Sequence, residues 1–188
     1  MNPNPSDLTL VEASQSGDTA SFGELVRRYQ TRIQRYFMLV HSVENAQDLT
    51  QETFLRAWRS LGTYRSDWNF STWLFAIAHQ QNALFFRRKA KLPTVQFFSQ
   101  NAELEVQVTG TEDGALQEME RQEEVRDLWK TIRTHLSAEK AEILWLFYVE
   151  EKPQFEIARI MDRTAAGVKT LLFRARNELE DILKVGQE

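Results

Sequence analysis

The 188-residue chain contains no cysteine. Disulfides, thiolate metal sites and a cysteine nucleophile are thereby excluded. Glycine and proline are scarce, at seven and four, which favours helices over the turn-rich patterns of all-β chains. The longest uninterrupted apolar run, Ile143–Val149, covers seven residues, far short of the ~20 that a membrane span needs. The N-terminus, MNPNPSDLTLVEA, lacks the basic-then-apolar order of a secretion signal. The sequence therefore reads as that of a soluble cytoplasmic protein. Its three histidines, His41, His79 and His135, lie on separate segments without ligand spacing. Neither a His-Glu-x-x-His pair nor a glycine-rich phosphate or dinucleotide loop occurs. No cofactor, metal or catalytic residue is expected. The catalytic alternative that stays open is a helical hydrolase using Asp48 and Glu52, which needs a pocket that perturbs both carboxylates.

A strongly basic balance is also missing. The net charge is −4 and the isoelectric point is about 5.5, which counts against a free-standing DNA binder. The distribution is uneven: residues 1–60 carry −1, 61–91 carry +4, 92–128 carry −7 and 129–188 are neutral. A basic segment is followed by a strongly acidic one.

What is present is helical periodicity. Phe22, Leu25, Val26, Tyr29, Ile33, Tyr36 and Phe37 recur at three- and four-residue spacing and predict a helix over 20–40, with Asp18 as its N-cap. A second helix is predicted over 42–61, stopped by Gly62, and a third over 71–88. The loop between these two holds Tyr64, Trp68 and Phe70. Residues 92–114, with Pro93, Gly110 and Gly114, read as an irregular linker too long for an ordinary connection within a compact domain. Helices resume at 115–135, where Leu128, Trp129, Ile132 and Leu136 form a stripe, and continue at 138–149, 154–161 and 164–183. The fold class is all-α: two small helical domains, residues 1–91 and 123–188, joined by an acidic linker over 92–122.

Three surfaces carry potential chemistry. On a helical wheel of about 100° per residue, Gln51, Glu52 and Leu55 lie within about 60° of Asp48, opposite Thr53, Phe54, Ala57, Trp58 and Leu61. Two carboxylates, an amide and an exposed leucine suit a helical partner with basic groups, although a solvated face has the same pattern. The segment WNFSTWLFAIAHQQNALFFRRKAK is apolar almost all round. Trp73, Leu74, Ile77, Ala78 and Phe85 are assigned to its core side; Phe75, His79, Asn82 and Phe86 to the other, beside Arg87, Arg88, Lys89 and Lys91. Rings and cations together suit a single nucleic-acid strand, but packing on the first helix is the competing reading. Finally, a short helix with Phe155, Ile157, Ala158 and Ile160, the turn Asp162-Arg163-Thr164, and a longer helix with Val168, Leu172, Ala175 and Leu179 inward have the form of a helix–turn–helix. Its outward face presents Lys169, Thr170, Phe173, Arg174 and Arg176. An ordinary helical hairpin with a basic face is the alternative.

Taken together, AQDLTQETFLRAW (46–58), FSTWLFAIA (70–78) and FEIARIMDRTAAGVKTLLFRAR (155–176) resemble the extracytoplasmic-function sigma factors, in the right order over nearly the whole chain. The resemblance implies that Asp48, Gln51, Glu52 and Leu55 dock on the coiled coil of the largest subunit of core RNA polymerase, with the flap as a second contact. It implies that Tyr64, Trp68, Phe70, Phe75, His79, Gln80, Arg87 and Arg88 open the −10 element of promoter DNA and capture a flipped base. It assigns Lys169, Thr170, Phe173, Arg174 and Arg176 to the −35 element, threads the acidic linker near the RNA exit path, and adds an anti-sigma factor as a partner, without membrane insertion. The chain departs from the family pattern at Gln80 (often Asn), Leu84 (often Asp), Gly167 (Thr) and Leu171 (basic). These departures place its DNA preference in question. A stand-alone helix–turn–helix regulator and a pure adapter are the rival readings. The first needs a dimer surface for paired half-sites, and the sequence offers no heptad seam.

Overall fold

The computed structural model describes residues 5–90 and 115–185, with side chains placed for 5–90 and 123–184; the linker expected over 92–114 lies outside the described residues. The first domain is built from α1 (Asp7–Gln15), α2 (Thr19–Met38), α3 (Val43–Ser60) and α4 (Phe70–Ala90), and the second from α5 (Ala115–His135), α6 (Ala138–Tyr148), α7 (Gln154–Ile160) and α8 (Ala165–Val185). No strand occurs among the described residues. α5 runs across the boundary drawn at 122 and 123.

Local chemistry explains most of these limits. The Asp18 carboxylate accepts from Ala20 N at 2.9 Å and starts α2, and Ser42 accepts from Asn45 N to start α3; each hydroxyl or carboxylate satisfies a donor that the first helical turn leaves unpaired. α1 was not anticipated by the periodicity. Its Ser6 cap accepts from Thr9 N, it buries only Leu10, Val11 and Ser14, and nine residues are too few to show a clear apolar stripe. Gly17, at φ +102°, makes the turn into α2 in a conformation that side chains rarely adopt. Gly62, by contrast, does not stop α3 as a left-handed cap. It lies inside a tightened 3-10 turn, Leu61–Thr63, without a positive φ, so helix and turn run on and the stop comes one turn later.

The first core joins Leu25, Ile33, Tyr36 and Phe37 of α2 to Ala46 and Ala57 of α3 and Leu74, Phe75 and Ala78 of α4, all essentially inaccessible. α1 lies against α2, and its Gln15 amide donates to Leu61 O at 2.9 Å and Tyr64 O at 3.3 Å, pinning the loop before α4. The second core is Trp129 and Ile132 of α5, Ile143, Leu144 and Trp145 of α6, Ile157 and Ile160 of α7, and Val168, Leu172 and Ala175 of α8. α7 then packs across α4, so the two domains touch.

Candidate functional site

α3 presents Asp48, Gln51, Glu52 and Leu55 to solvent, as the wheel requires, with Leu55 55 % exposed. Neither carboxylate is held by a cation among the described residues. Thr53, Phe54, Ala57 and Leu61 line the core. Trp58 corrects its assignment to that core: it is half-exposed at the edge, tilted on Phe22 with ring centroids 4.9 Å apart.

α8 presents a second open surface. The Thr164 hydroxyl accepts from Gly167 N at 3.1 Å and caps the helix. A Cβ at position 167 would lie 3.2 Å from that hydroxyl, so glycine there leaves room for the cap. Asp162 takes a positive φ of 49° in the turn, a conformation aspartate tolerates better than most residues. Lys169, Thr170, Phe173 and Arg174 are exposed, and Phe173, at 63 %, is the most open large apolar side chain among the described residues. Arg176 differs. Its guanidinium lies over the rings of Phe147 and Tyr148 at 5.0 and 5.4 Å, turned toward α6.

α4 corrects the sequence reading most. Phe75, assigned outward, is fully buried and edge-on to Tyr36 at 5.5 Å. Asn82, also assigned outward, is buried with its Oδ1 2.6 Å from His41 Nε2, an arrangement in which Nε2 carries the proton. Burial, with Lys89 nearby, lowers the His41 pKa, and the Asn82 bond only partly offsets this. Phe86 stacks on His41 at 5.2 Å. Phe70 and Tyr64 are buried as well: Phe70 meets Tyr29, Tyr64 and Trp73, and the Tyr64 hydroxyl donates to Trp68 O at 2.6 Å. Both rings are packed into the loop and the helices beside it. Gln80, Arg87 and Arg88 are exposed. Trp68 is partly covered by Phe155 and by the Arg159 guanidinium, 5.0 Å above its ring.

Between the domains lies an open cleft of about 1130 Å³. Trp68, Gln80 and Arg87 line it, as the sequence suggests, but so do Arg56, Arg65 and Trp73 from the first domain and Phe155, Arg159 and Arg163 from the second. Arg65 and Trp73 lie in the same 64–88 segment, where Trp73 was assigned to the core, whereas Arg56, Phe155, Arg159 and Arg163 come from segments far from it in the chain. A cleft of arginines and rings can hold phosphates and stack bases.

Below this cleft the domains meet through polar groups. Tyr36 Oη donates to Glu142, which also accepts from His79 Nδ1 at 2.5 Å. Burial lowers the His79 pKa, but the Glu142 carboxylate outweighs it and the net shift is upward. Lys152 Nζ donates to Ser71 Oγ at 2.6 Å, Thr72 Oγ1 at 3.1 Å and Glu156 Oε2 at 3.0 Å. Glu156 also accepts from the Thr72 hydroxyl and, at 3.3 Å, from Asn69 Nδ2. Its burial is outweighed by these partners, which hold its pKa down. Arg32 Nε reaches Glu150 at 3.1 Å.

The arrangement is that of an all-α, two-domain protein with a helix–turn–helix in its second half, and the comparisons agree. Residues 25–92 match sigma-70 region 2 and residues 132–179 match sigma-70 region 4. The RNA polymerase sigma-H factor of Pseudomonas aeruginosa is 33 % identical over 95 % of this chain and 94 % of its own length. The ECF RNA polymerase sigma-E factor of Haemophilus influenzae is 30 % identical over 93 % of this chain and 94 % of its own. Among solved structures, CnrH in complex with the cytosolic domain of CnrY has the same fold, at a TM-score of 0.65 and 22 % identity, over 96 % of this chain and 99 % of its own. The chain belongs to the extracytoplasmic-function sigma factors of RNA polymerase. As a sigma factor it acts in transcription initiation as a DNA-binding regulator. No described helix is long and apolar enough to cross a membrane.

Proposed function

We propose that this sigma factor divides its work among the three surfaces. Asp48, Gln51, Glu52 and Leu55 on α3 grip the coiled coil of core polymerase. Trp68, Gln80, Arg87 and Arg88, joined by Arg56, Arg65 and Trp73, receive the opened −10 strand. Lys169, Thr170, Phe173 and Arg174 on α8 read the −35 element, with Arg176 oriented by α6. Residues 1–91 and 123–188 are the working units, and 92–122 connects them through the polymerase interior. The protein acts in the cytoplasm, has no catalytic step of its own, and is restrained by an anti-sigma factor.

One observation carries this reading: the α3 face of Asp48, Gln51, Glu52 and Leu55 is exposed, and neither of its carboxylates has a cation partner among the described residues. An acidic protein gains little from bulk DNA by counterion release, so its promoter affinity is supplied once polymerase holds it. Core polymerase mixed with the chain and passed over a sizing column tests the assignment. The parent co-elutes, and D48R/E52R does not. Equal retention of both would remove α3 from the interface, and a specific duplex shifted without polymerase would favour a stand-alone regulator.

A further inference from the structure

Four charged side chains are buried among the described residues, and they share an origin: Glu142, Glu150, Lys152 and Glu156 all belong to the second domain. Each bonds to the first domain, and Lys152 and Glu156 also pair with one another at 3.0 Å. Glu142 serves Tyr36 and His79, Glu150 serves Arg32, and Lys152 and Glu156 together serve Ser71, Thr72 and Asn69. No apolar core requires them. Burying a charge is unfavourable unless it is paired and hydrogen-bonded, so the first domain supplies the partners of Glu142 and Glu150 and completes those of Lys152 and Glu156. The backbone is shaped for the same purpose: Glu151, between two of them, adopts a positive φ of 51°, which turns the chain so that both neighbours face the first domain. Unlike a hydrophobic seam, this one loses little on parting, because every group in it hydrates well.

We propose that the free chain closes on itself through this polar seam, a latch that covers His79 and part of Trp68 and must part before the −10 strand is received. The closed geometry stands on the pairs alone; its consequence for promoter opening rests on the function proposed above. Because the chain lacks cysteine, two labels can be placed cleanly, at E12C on α1 and N177C on α8, both exposed and outside the seam. Energy transfer between them reports the latch without polymerase or DNA. The full chain is expected to show one high-transfer population, and K152M, which deprives the buried Glu156 of its cation, to shift most molecules to low transfer with unchanged helix content. E142Q, which keeps the shape of the seam, is the second variant and shifts a smaller fraction. Low transfer in the parent, or unchanged transfer in both folded variants, overturns the latch. Apparent promoter affinity scales with the fraction of competent molecules: if one parent molecule in ten is open, holoenzyme made with limiting K152M forms open complexes at about tenfold lower concentration. Opening without that gain limits the latch to the free chain and overturns its link to the −10 strand. Failure of the parent to support any transcription instead refutes the function itself, and the transfer measurement is unaffected.

Discussion

α8 and α4 carry the two surfaces proposed to meet promoter DNA, and they stand in opposite states. On α8, Val168, Leu172 and Ala175 are buried while Lys169, Thr170, Phe173 and Arg174 are open. That helix needs one core face and leaves the other to a ligand. On α4, Ser71, Thr72, Phe75, Gln81 and Asn82 are all buried, and His79 is half-covered by Glu142. It packs on its own domain and on the second at once. The difference teaches that residue type does not determine presentation. Phenylalanine serves as core at position 75 and as a displayed ring at 173.

Truncating those two rings should give the largest contrast. Phe75→Ala is expected to lower unfolding stability by about 3–5 kcal/mol, the usual result of emptying a packed aromatic site. Phe173→Ala should stay within about 0.5 kcal/mol of the parent and lose −35-dependent transcription instead. Chemical denaturation and promoter assays on both variants check this; equal stability losses would erase the contrast.

Next in size is the polymerase surface. Reversing Asp48 and Glu52 together should weaken core binding by about 2–4 kcal/mol, on the order of 30- to 1000-fold, with no loss of thermal stability because both are exposed and have no cation partner among the described residues. A fluorescence titration of core polymerase reads the affinity, and a melt of the isolated variant reads the stability.

On α8 the effects should be smaller and graded. Lys169→Ala and Arg174→Ala are each expected to cost about 1–3 kcal/mol at most in −35 binding by holoenzyme. A residue that contacts a phosphate should also lower the salt slope by about 1. Arg176→Ala should reduce the slope least, since its guanidinium is seated on Phe147 and Tyr148. Binding measured across a salt series separates them.

The smallest effect is on pH. Burial pushes the His79 pKa down, but Glu142, assisted by Glu139 and opposed by Arg163, raises it above the ordinary 6.5. A raised pKa means that the protonated form favours contact between the domains. This contribution is complete below about pH 6.5 and fades as pH rises through the shifted value. Glu156, whose pKa is lowered, contributes above 4.5 and fades only in acid. Closure followed by energy transfer should therefore weaken slightly from pH 6 toward pH 8, and E142Q should flatten that trend.

Much of this architecture can be read from residue order. Asp18 and Thr164 cap where expected, and the stripes of α2, α3, α5 and α8 set their core faces. These features are local, and helical spacing encodes them directly. The exposed face of Asp48, Gln51, Glu52 and Leu55 on α3 was legible for the same reason. α4 was not, because a helix apolar almost all round has no phase from which to choose its outward side. Phe75 and Asn82 were misplaced on that account. The seam was illegible in another way: Arg32 and Glu150 are 118 residues apart, Thr72 and Glu156 84. Only Glu142, a carboxylate entering the apolar run of α6, hinted that something polar waits opposite.

Permanganate footprinting of unpaired thymines on a promoter duplex tests the central assignment most directly. With core polymerase and this chain together, thymines of the −10 element should become reactive, and neither component alone should expose them. Reactivity that persists with D48R/E52R at limiting concentration, or that this chain produces without polymerase, would contradict the account.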